Sequence, residues 1–201
     1  MALKFAVNNS LSAVTSLPTA ISTGSMTLLQ TQTASSSATI DFTSNIDSTY
    51  DSYVFKFIDL HPSVDDTTFG FETSTNGGTS YGVTKTSSAF YVRHNESDAA
   101  ADMGYSTSID LAQSTSKQNI NGQIGADNDQ SLAGQLQIFN PSSSTFVKHY
   151  ISLTTTYQKD DFAFQYYIGG YCNTTSPINA IKFSMGSGNI DAGTIKMYGV
   201  A

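Results

Sequence analysis

Histidine and serine or cysteine side chains are the residues of this chain that could support nucleophilic catalysis. Such catalysis needs a nucleophile beside a base, yet the sequence offers only three histidines, His61, His94 and His149, and contains no Gly-x-Ser-x-Gly turn. His149 lies in the alternating run TFVKHYISL, where we expect a surface or interface side chain on a strand. His61 precedes Pro62 and is interpreted as a turn residue at the end of a strand. We therefore predict that the chain is not an enzyme.

Carboxylates gather in three segments that are expected to be loops, residues 65–66, 127–129 and 160–161. Calcium prefers such oxygen-rich loops, but aspartate is also a common turn residue. None of the three has the full Asp-x-Asp-x-Asp-Gly spacing with a distal glutamate. His94 lies near Glu96 and Asp98 and offers a weaker candidate for a cation site. We predict no bound metal and no cofactor.

Cys172 is the single cysteine, so the chain cannot form an internal disulfide. It lies in the run FAFQYYIGGYC, which predicts a strand. A free cysteine in such a run usually packs as a small apolar side chain. We expect a buried thiol.

The charge balance argues against nucleic acid as a partner. Nine Lys and Arg face 16 Asp and Glu, which gives a formal net charge of -7, and a chain of this charge repels a polyanionic duplex. No run of about 18 apolar residues is present, so we predict no transmembrane helix. The opening MALKFAVNNSLSAV lacks the long apolar core of a signal peptide.

From residue 26 onward, apolar and polar residues alternate in short runs separated by turn residues, which is the pattern of half-buried strands. The run YVFKFIDL is apolar on both sides, so it should lie centrally in a sheet. Between residues 90 and 129 the alternation weakens, and loops are expected there. Residues 26–201 are predicted to form a single all-β domain, a β-sandwich of about eight strands.

Two tight turns suggest β-hairpins. Asn76-Gly77-Gly78 separates residues 68–74 from residues 80–86, and glycine supplies the positive backbone angles that a hairpin turn needs. The sequence GSGN at residues 186–189 separates the last two predicted strands in the same way. We expect each turn to join two strands that pair with each other.

Residues 1–25 show no sustained strand or helix period and are predicted to form an N-terminal arm for assembly contacts. A short helix is possible, although Pro18 limits it to one end. An arm of this apolar content is expected to pack on a neighbouring subunit. The apolar residues proposed for that contact are Phe5, Leu11, Val14, Leu17 and Ile21.

Three stretches resemble small virion structural proteins of tailed bacteriophages. They are the opening 62 residues, from MALKFAVNNS to FIDLHP, the central LQIFNPSSSTFVKHYISL, and the closing GGYCNTTSPINAIKFSMGSGNIDAGTIKMYGVA. The resemblance implies a jelly-roll-like sandwich that forms a homotrimer in the virion. It also implies attachment to the capsid, as a decoration protein, or to the tail, as a fibre component, through other phage virion proteins.

The aromatic residues near position 166 allow two interpretations. They either fill an ordinary core from both faces of the sandwich, or part of them forms a contact surface for assembly. The residues concerned are Phe162, Phe164, Tyr166, Tyr167 and Tyr171.

An alternative function is a receptor-binding module that recognises the host surface or a carbohydrate. Tyr81, Tyr91 and Tyr105 are the aromatic residues that we expect to face such a ligand by stacking on sugar rings. The chain contains no tryptophan, the residue best suited to that role.

Overall fold

The computed structural model describes residues 26–201. Within this range all regular secondary structure is β, as the alternation predicts. The proposed assembly arm lies outside the described residues, together with its apolar side chains Phe5, Leu11, Val14, Leu17 and Ile21.

Twelve strands are formed within the described range. The first six are β1 (Thr27–Thr33), β2 (Ile40–Phe42), β3 (Ser52–Pro62), β4 (Phe69–Ser74), β5 (Lys85–Asn95) and β6 (Ala101–Tyr105). The others are β7 (Gln118–Asn119), β8 (Leu132–Phe139), β9 (Lys148–Gln158), β10 (Phe162–Cys172), β11 (Ala180–Met185) and β12 (Ile190–Val200).

These strands form two antiparallel sheets. The large sheet has the order β1-β12-β3-β8-β9-β10-β5-β6, and the small sheet has the order β2-β11-β4-β7. The all-β class is thereby confirmed, and the two sheets are consistent with a β-sandwich. The expected number of strands was too low because short strands such as β2 and β7 are too brief to show an alternating pattern.

Phenylalanine rings fill the space between the sheets. Phe55 and Phe57 point from β3 of the large sheet toward Phe183 of the small sheet, with ring centroids 5.3 Å and 5.4 Å from that of Phe183. Phe42 and Phe69 complete the cluster, and both are fully buried. Aromatic pairs in tilted or edge-to-face arrangements add about 0.5–1.5 kcal/mol each beyond their burial. This cluster fixes the two sheets against each other.

The two predicted hairpins are wrong, although the turns exist. Gly77 and Gly78 do have positive φ, 70° and 87°, but β4 pairs with β11 and β7, and the next strand, β5, joins the large sheet. Likewise β11 lies in the small sheet, whereas β12 pairs with β1 and β3 in the large one. Glycine lets the backbone reverse direction, but it does not decide whether the chain returns beside the same strand or crosses to the other sheet.

A pair of facing bulges distorts the centre of the large sheet. The pairing of β3 with its neighbours shifts near Asp59, where φ is 49°, and β12 shifts near Gly193, where φ is 111°. A Cβ at Gly193 would lie only 2.5 Å from the carbonyl oxygen of Asp59. Glycine is therefore required at residue 193 by both the positive φ and the close approach of β3.

Candidate interaction face

Strand β9 has its polar and apolar sides reversed relative to an ordinary sandwich strand. The side that faces the protein interior carries buried polar residues, and the opposite side carries Ile151 and Leu153, which are 50% and 39% exposed. We call this opposite surface of the large sheet, directed away from the small sheet, the outer face. The buried polar residues of β9 are Lys148, Ser152, Thr154, Thr156 and Gln158.

The loop before β8 and the neighbouring β8 explain why polar side chains are stable on the inner side of β9. The hydroxyl of Thr154 donates to the carbonyl of Ile120 at 2.6 Å, and that of Tyr150 donates to Gln118 Oε1 at 2.7 Å. Ser152 donates to the backbone carbonyl of Gln135 at 3.0 Å. Because buried polar groups need such partners, the inner side of β9 is stabilised by Gln118 of the small sheet as well as by the backbone of Ile120 and of β8.

An apolar row crosses four strands of the outer face. The strand register places Tyr105 of β6, Phe90 of β5, Tyr167 of β10 and Leu153 of β9 side by side. The rings of Phe90 and Tyr167 stack with centroids 4.7 Å apart. Side chains in one such row contact their neighbours, so the row forms a continuous apolar surface.

Further apolar side chains lie beside this row. Val92 and Met103 are direct partners of each other in the next row, and Met103 is 72% exposed. Phe90 and Tyr105 are 44% and 56% exposed. A contiguous apolar surface on a protein rarely faces water without a partner. We call these residues, with Ile151, Leu153 and Tyr167, the outer patch.

A hollow of about 450 Å³ lies at one end of the outer patch. Ile151, Leu153, Phe90 and Tyr167 line it, and Gly169 forms part of its floor. A Cβ placed on Gly169 would meet no atom of the described part of the chain within 4 Å. The missing side chain at residue 169 therefore leaves open space beside Ile151, its direct partner on β9.

Two further hollows continue from the first along β9. The second, of about 310 Å³, shares Gln135 and Leu153 with the first. The third, of about 430 Å³, shares Ala133 and Thr155 with the second. Together they make a channel that follows β9 from Ile151 to Tyr157, and we call it the β9 groove.

The far end of the β9 groove is polar and acidic. His94, Glu96 and Tyr157 line its third hollow. A hydrogen bond to Glu96 is the largest cause that raises the pKa of Tyr157 to about 12, followed by burial, and Asp161 adds a smaller contribution. The groove is thus apolar near Ile151, carries Lys56 in its second hollow, and places Glu96 beside His94 at its far end.

A row of buried lysine, cysteine and lysine lies on the inner side of the large sheet. Cys172 of β10 is the direct partner of Lys85 on β5 and of Lys148 on β9, and all three are fully buried. The prediction of a buried thiol is confirmed. Lys85 donates to the Val83 carbonyl at 2.9 Å, while Lys148 donates to backbone carbonyls at 3.0 and 3.1 Å. Burial lowers the pKa of both lysines and raises that of Cys172.

The three tyrosines proposed as ligand-facing lie on different surfaces. Tyr105 is on the outer face, whereas the half-buried Tyr91 is turned to the opposite side of the large sheet. Tyr81 lies near the small sheet, where its hydroxyl donates to Asp41 at 2.8 Å and Lys182 Nζ is 4.5 Å from its ring centroid. The three do not form one stacking platform.

The aromatic residues near position 166 are divided between both sides of β10. Phe164 and Tyr166 are buried on the inner side, whereas Tyr167 is on the outer face. The core interpretation is confirmed for Phe164 and Tyr166, and the contact-surface interpretation stays a prediction for the outer side.

The histidines are held by local contacts. His61 Nδ1 donates to the carbonyl of Gln130 at 2.8 Å, and His94 Nε2 lies 3.0 Å from Asp98 Oδ1. The exposed His149 packs against the ring of Tyr171, with centroids 6.2 Å apart.

The carboxylate loops are also tied to their surroundings. Asp66 forms an ion pair with Lys159 at 2.9 Å, and Asp65 accepts from the backbone N–H of Ala126 at 3.1 Å. Among residues 26–201, no group of three or more His, Cys, Asp or Glu side chains is placed to hold a metal ion. In the same part of the chain, no helix is long and apolar enough to cross a membrane.

Comparisons with protein-family models, with curated proteins and with solved structures find no match to this chain. The fold and the outer face are therefore the observations on which a function must be argued.

Sequence reasoning did not identify the outer patch or the β9 groove. The run HYISLTTTY does alternate, but alternation defines two sides of a strand without showing which is buried. The sequence did show that Ile151 and Leu153 share one apolar side of the strand and that Ser152 and Thr154 share the other, polar side. It did not show that the apolar side is the exposed one. Tyr167 was among the aromatic residues considered for a contact surface, but its stacking with Phe90 gave no signal, since that contact depends on the pairing of β5 with β10.

Proposed function

We propose that this chain is a non-enzymatic structural protein of a tailed-bacteriophage virion. It forms a homo-oligomer, a trimer in this proposal, and attaches to the capsid or the tail. The observation that carries the proposal is the outer patch, because an apolar surface of this extent on one face of a sheet is suited to contact with another protein. The sequence resemblance to phage virion proteins is the reason why we assign that contact to a virion.

The strand order supports a jelly-roll interpretation of the sandwich. Without the pairs β5-β6 and β9-β10, the large sheet has the order β1-β12-β3-β8 and faces β2-β11-β4-β7. Eight strands arranged in this way, with the chain crossing repeatedly between the two sheets, match the double Greek key of a jelly roll. Viral capsid domains and lectin domains both use this architecture, so the fold is compatible with the proposal but does not decide it.

The two added strand pairs are the part of the molecule that carries the outer patch. Strands β9, β10, β5 and β6 extend the large sheet beyond β8, and every residue of the outer patch lies on them. Exposure of these apolar side chains to water raises the free energy of an isolated molecule. The same extension provides an interface in an assembly, which is the role we assign to it.

The edge of the large sheet also favours assembly. Strand β6 forms one edge, and four of its five residues are exposed. Native sheets usually protect such an edge with lysine, proline or a covering segment, yet β6 has the sequence ADMGY. Closed symmetry around a trimer axis would bring this edge and the outer patch next to a neighbouring copy.

Sedimentation of the full-length protein tests this proposal. The expected mass is three times that of the 21.5 kDa chain. Leu153→Glu should sediment as a monomer with an unchanged circular dichroism spectrum, because it places a charge in the interface without touching the core. The matched control Thr39→Glu, at an exposed residue just before β2, should stay trimeric. A monomeric wild-type protein, or a Leu153→Glu trimer, would contradict the proposal.

The virion assignment needs a separate measurement. Particles purified from the source of this chain should contain it in stoichiometric amounts by mass spectrometry. Gold-labelled antibody should then mark either the shell or the tail in electron micrographs. Particles that lack the chain would leave an oligomeric β-sandwich with a different role.

A second candidate function is carbohydrate or host-surface recognition, and the polar end of the β9 groove favours it. The hollow beside Tyr157 combines an aromatic ring with the carboxylate of Glu96, the amide of Asn95 and the imidazole of His94. A ring for stacking and planar polar groups for sugar hydroxyls are the usual chemistry of glycan sites. A glycan array distinguishes the two candidates: binding that is lost in Tyr157→Ala supports recognition, and no binding by the wild type supports a purely structural role.

A further inference from the structure

We propose that residues 4–11 of one copy bind in the β9 groove of a neighbouring copy. In this arrangement Leu11 enters the apolar hollow at Ile151, and Lys4 lies near Glu96 at the acidic end. The inference rests on the proposed oligomeric function, since it assigns the contact between copies to a particular segment.

The groove and the segment have similar lengths. From Ile151 to Tyr157 the groove follows six residue steps of a strand, which correspond to about 20 Å. Residues 4–11 cover seven steps, or about 23 Å when extended. One extended copy of this segment therefore fills the groove from end to end.

The sequence of the segment matches the two ends of the groove. Phe5, Val7 and Leu11 are separated by even numbers of residues, so an extended chain would turn all three to the same side. Lys4 is the only charged side chain among residues 1–25. The segment matches the two ends of the groove, since Leu11 is apolar like the hollow at Ile151 and Lys4 is opposite in charge to Glu96, while the hollow between them is lined by Lys56 and uncharged polar side chains.

The length of the connection allows the segment to reach a neighbouring copy. Residue 26 precedes β1, which is four strand positions from β9, or about 19 Å. Residues 12–25 can span up to about 46 Å, more than twice the distance to the groove of their own chain. A connection of this length can reach an adjacent copy as well as the groove of its own copy, and the proposal assigns the adjacent copy because it rests on the proposed oligomer.

Cysteine cross-linking of the full-length protein tests the contact. The double variant Leu11→Cys/Ile151→Cys places one thiol on each partner surface, and the buried Cys172 does not take part. Under mild oxidation we expect covalent trimers on a non-reducing gel, because each chain is linked to two others. Either single variant can form at most covalent dimers.

The outcomes of this experiment separate the inference from the function on which it rests. A protein that sediments as a trimer but gives only internally linked monomers, or no link, overturns the contact and leaves the oligomer intact. A protein that sediments as a monomer overturns the proposed function itself. The control Leu11→Cys/Thr39→Cys should cross-link only at the background level.

Charge reversal gives a second and independent test. Lys4→Glu should lower the cross-linking yield of the double cysteine variant severalfold at low salt, since it places two carboxylates together. Adding Glu96→Lys should restore the yield. A yield that is insensitive to both changes would overturn the assigned direction of the segment and its contact with Glu96.

Discussion

Phe90 and Tyr167 lie on adjacent strands of the outer face with their rings nearly parallel, 7° apart in orientation and 4.7 Å between centroids. Phe90 nevertheless remains 44% exposed. In the core, Phe42 meets Phe55 edge-to-face instead, within a packed cluster. The stacked pair is a rigid apolar ridge beside an open hollow, a geometry that suits contact with another molecule better than it suits stabilisation of its own chain.

Phe90→Ala should therefore weaken the oligomer while costing the monomer little. The change removes one stacking contact, so we expect a loss of about 0.5–1.5 kcal/mol in the free energy of unfolding. Phe55→Ala is the matched control, because Phe55 is fully buried, and its loss should cost about 3–5 kcal/mol. Urea unfolding and sedimentation of both variants check the prediction; comparable destabilisation by the two would show that Phe90 is a core residue.

Gly169→Val should block the β9 groove without harming the fold. The new side chain has open space at residue 169, and valine suits a strand better than glycine does, so unfolding stability should be unchanged or rise by up to about 1 kcal/mol. Oligomerisation should fall, because the hollow is filled. The measurement is thermal unfolding combined with sedimentation.

Gly170→Val is the adjacent control and should behave in the opposite way. A Cβ at residue 170 would lie 2.5 Å from the Thr86 carbonyl oxygen and 2.6 Å from the Tyr150 hydroxyl, so strands must move apart. We expect clear destabilisation. Equal stability of the two variants would contradict the assigned directions of the β10 side chains.

Thr154→Val and Thr156→Val should differ although both residues are buried on the inner side of β9. Thr154 donates to the Ile120 carbonyl, and its loss leaves that buried carbonyl unpaired, which should cost about 1–3 kcal/mol. The Thr156 hydroxyl is buried and has no hydrogen-bond partner among residues 26–201, so valine there should be neutral or stabilising. Chemical denaturation of the two variants measures this difference directly, and a larger loss in Thr156→Val would refute it.

The sequence predicted the strands better than their arrangement. Alternation identified β3 and β9 because a strand can be recognised from the apolar and polar residues that follow one another within it. The strand pairs predicted for β4 and β12 were wrong because a Gly-rich turn can lead either to a hairpin or to a crossing between the two sheets. Pairing of strands is decided by contacts between residues distant in sequence, such as the Phe55–Phe183 contact of the core.

The outer patch was beyond sequence reasoning for a related reason. Its apolar row is created by the register of β6, β5, β10 and β9, and it places Tyr105 beside Phe90 and Leu153 beside Tyr167. Thr154 points inward, where its hydroxyl donates to the carbonyl of Ile120 in the loop that follows β7. No local pattern states that a loop, rather than the small sheet, will lie there.

Tyr166→Phe should reduce the loss of stability at alkaline pH. Burial is the largest cause that raises the pKa of Tyr166 to about 12, above its ordinary value of about 10. The unfolded state then loses this proton before the folded state does. The stabilisation is complete below pH 10 and is lost as the pH rises through 12.

The difference between wild type and Tyr166→Phe isolates this contribution, because the other titrating groups are common to both. From pH 10 to pH 12 the wild type should lose about 2–3 kcal/mol more of its free energy of unfolding than the variant does. Urea unfolding at several alkaline pH values, with absorbance at 295 nm to follow the phenolate, gives both quantities. Parallel stability curves for the two proteins would mean that Tyr166 is accessible to water, and the inner side of β10 would then be less tightly covered than its burial indicates.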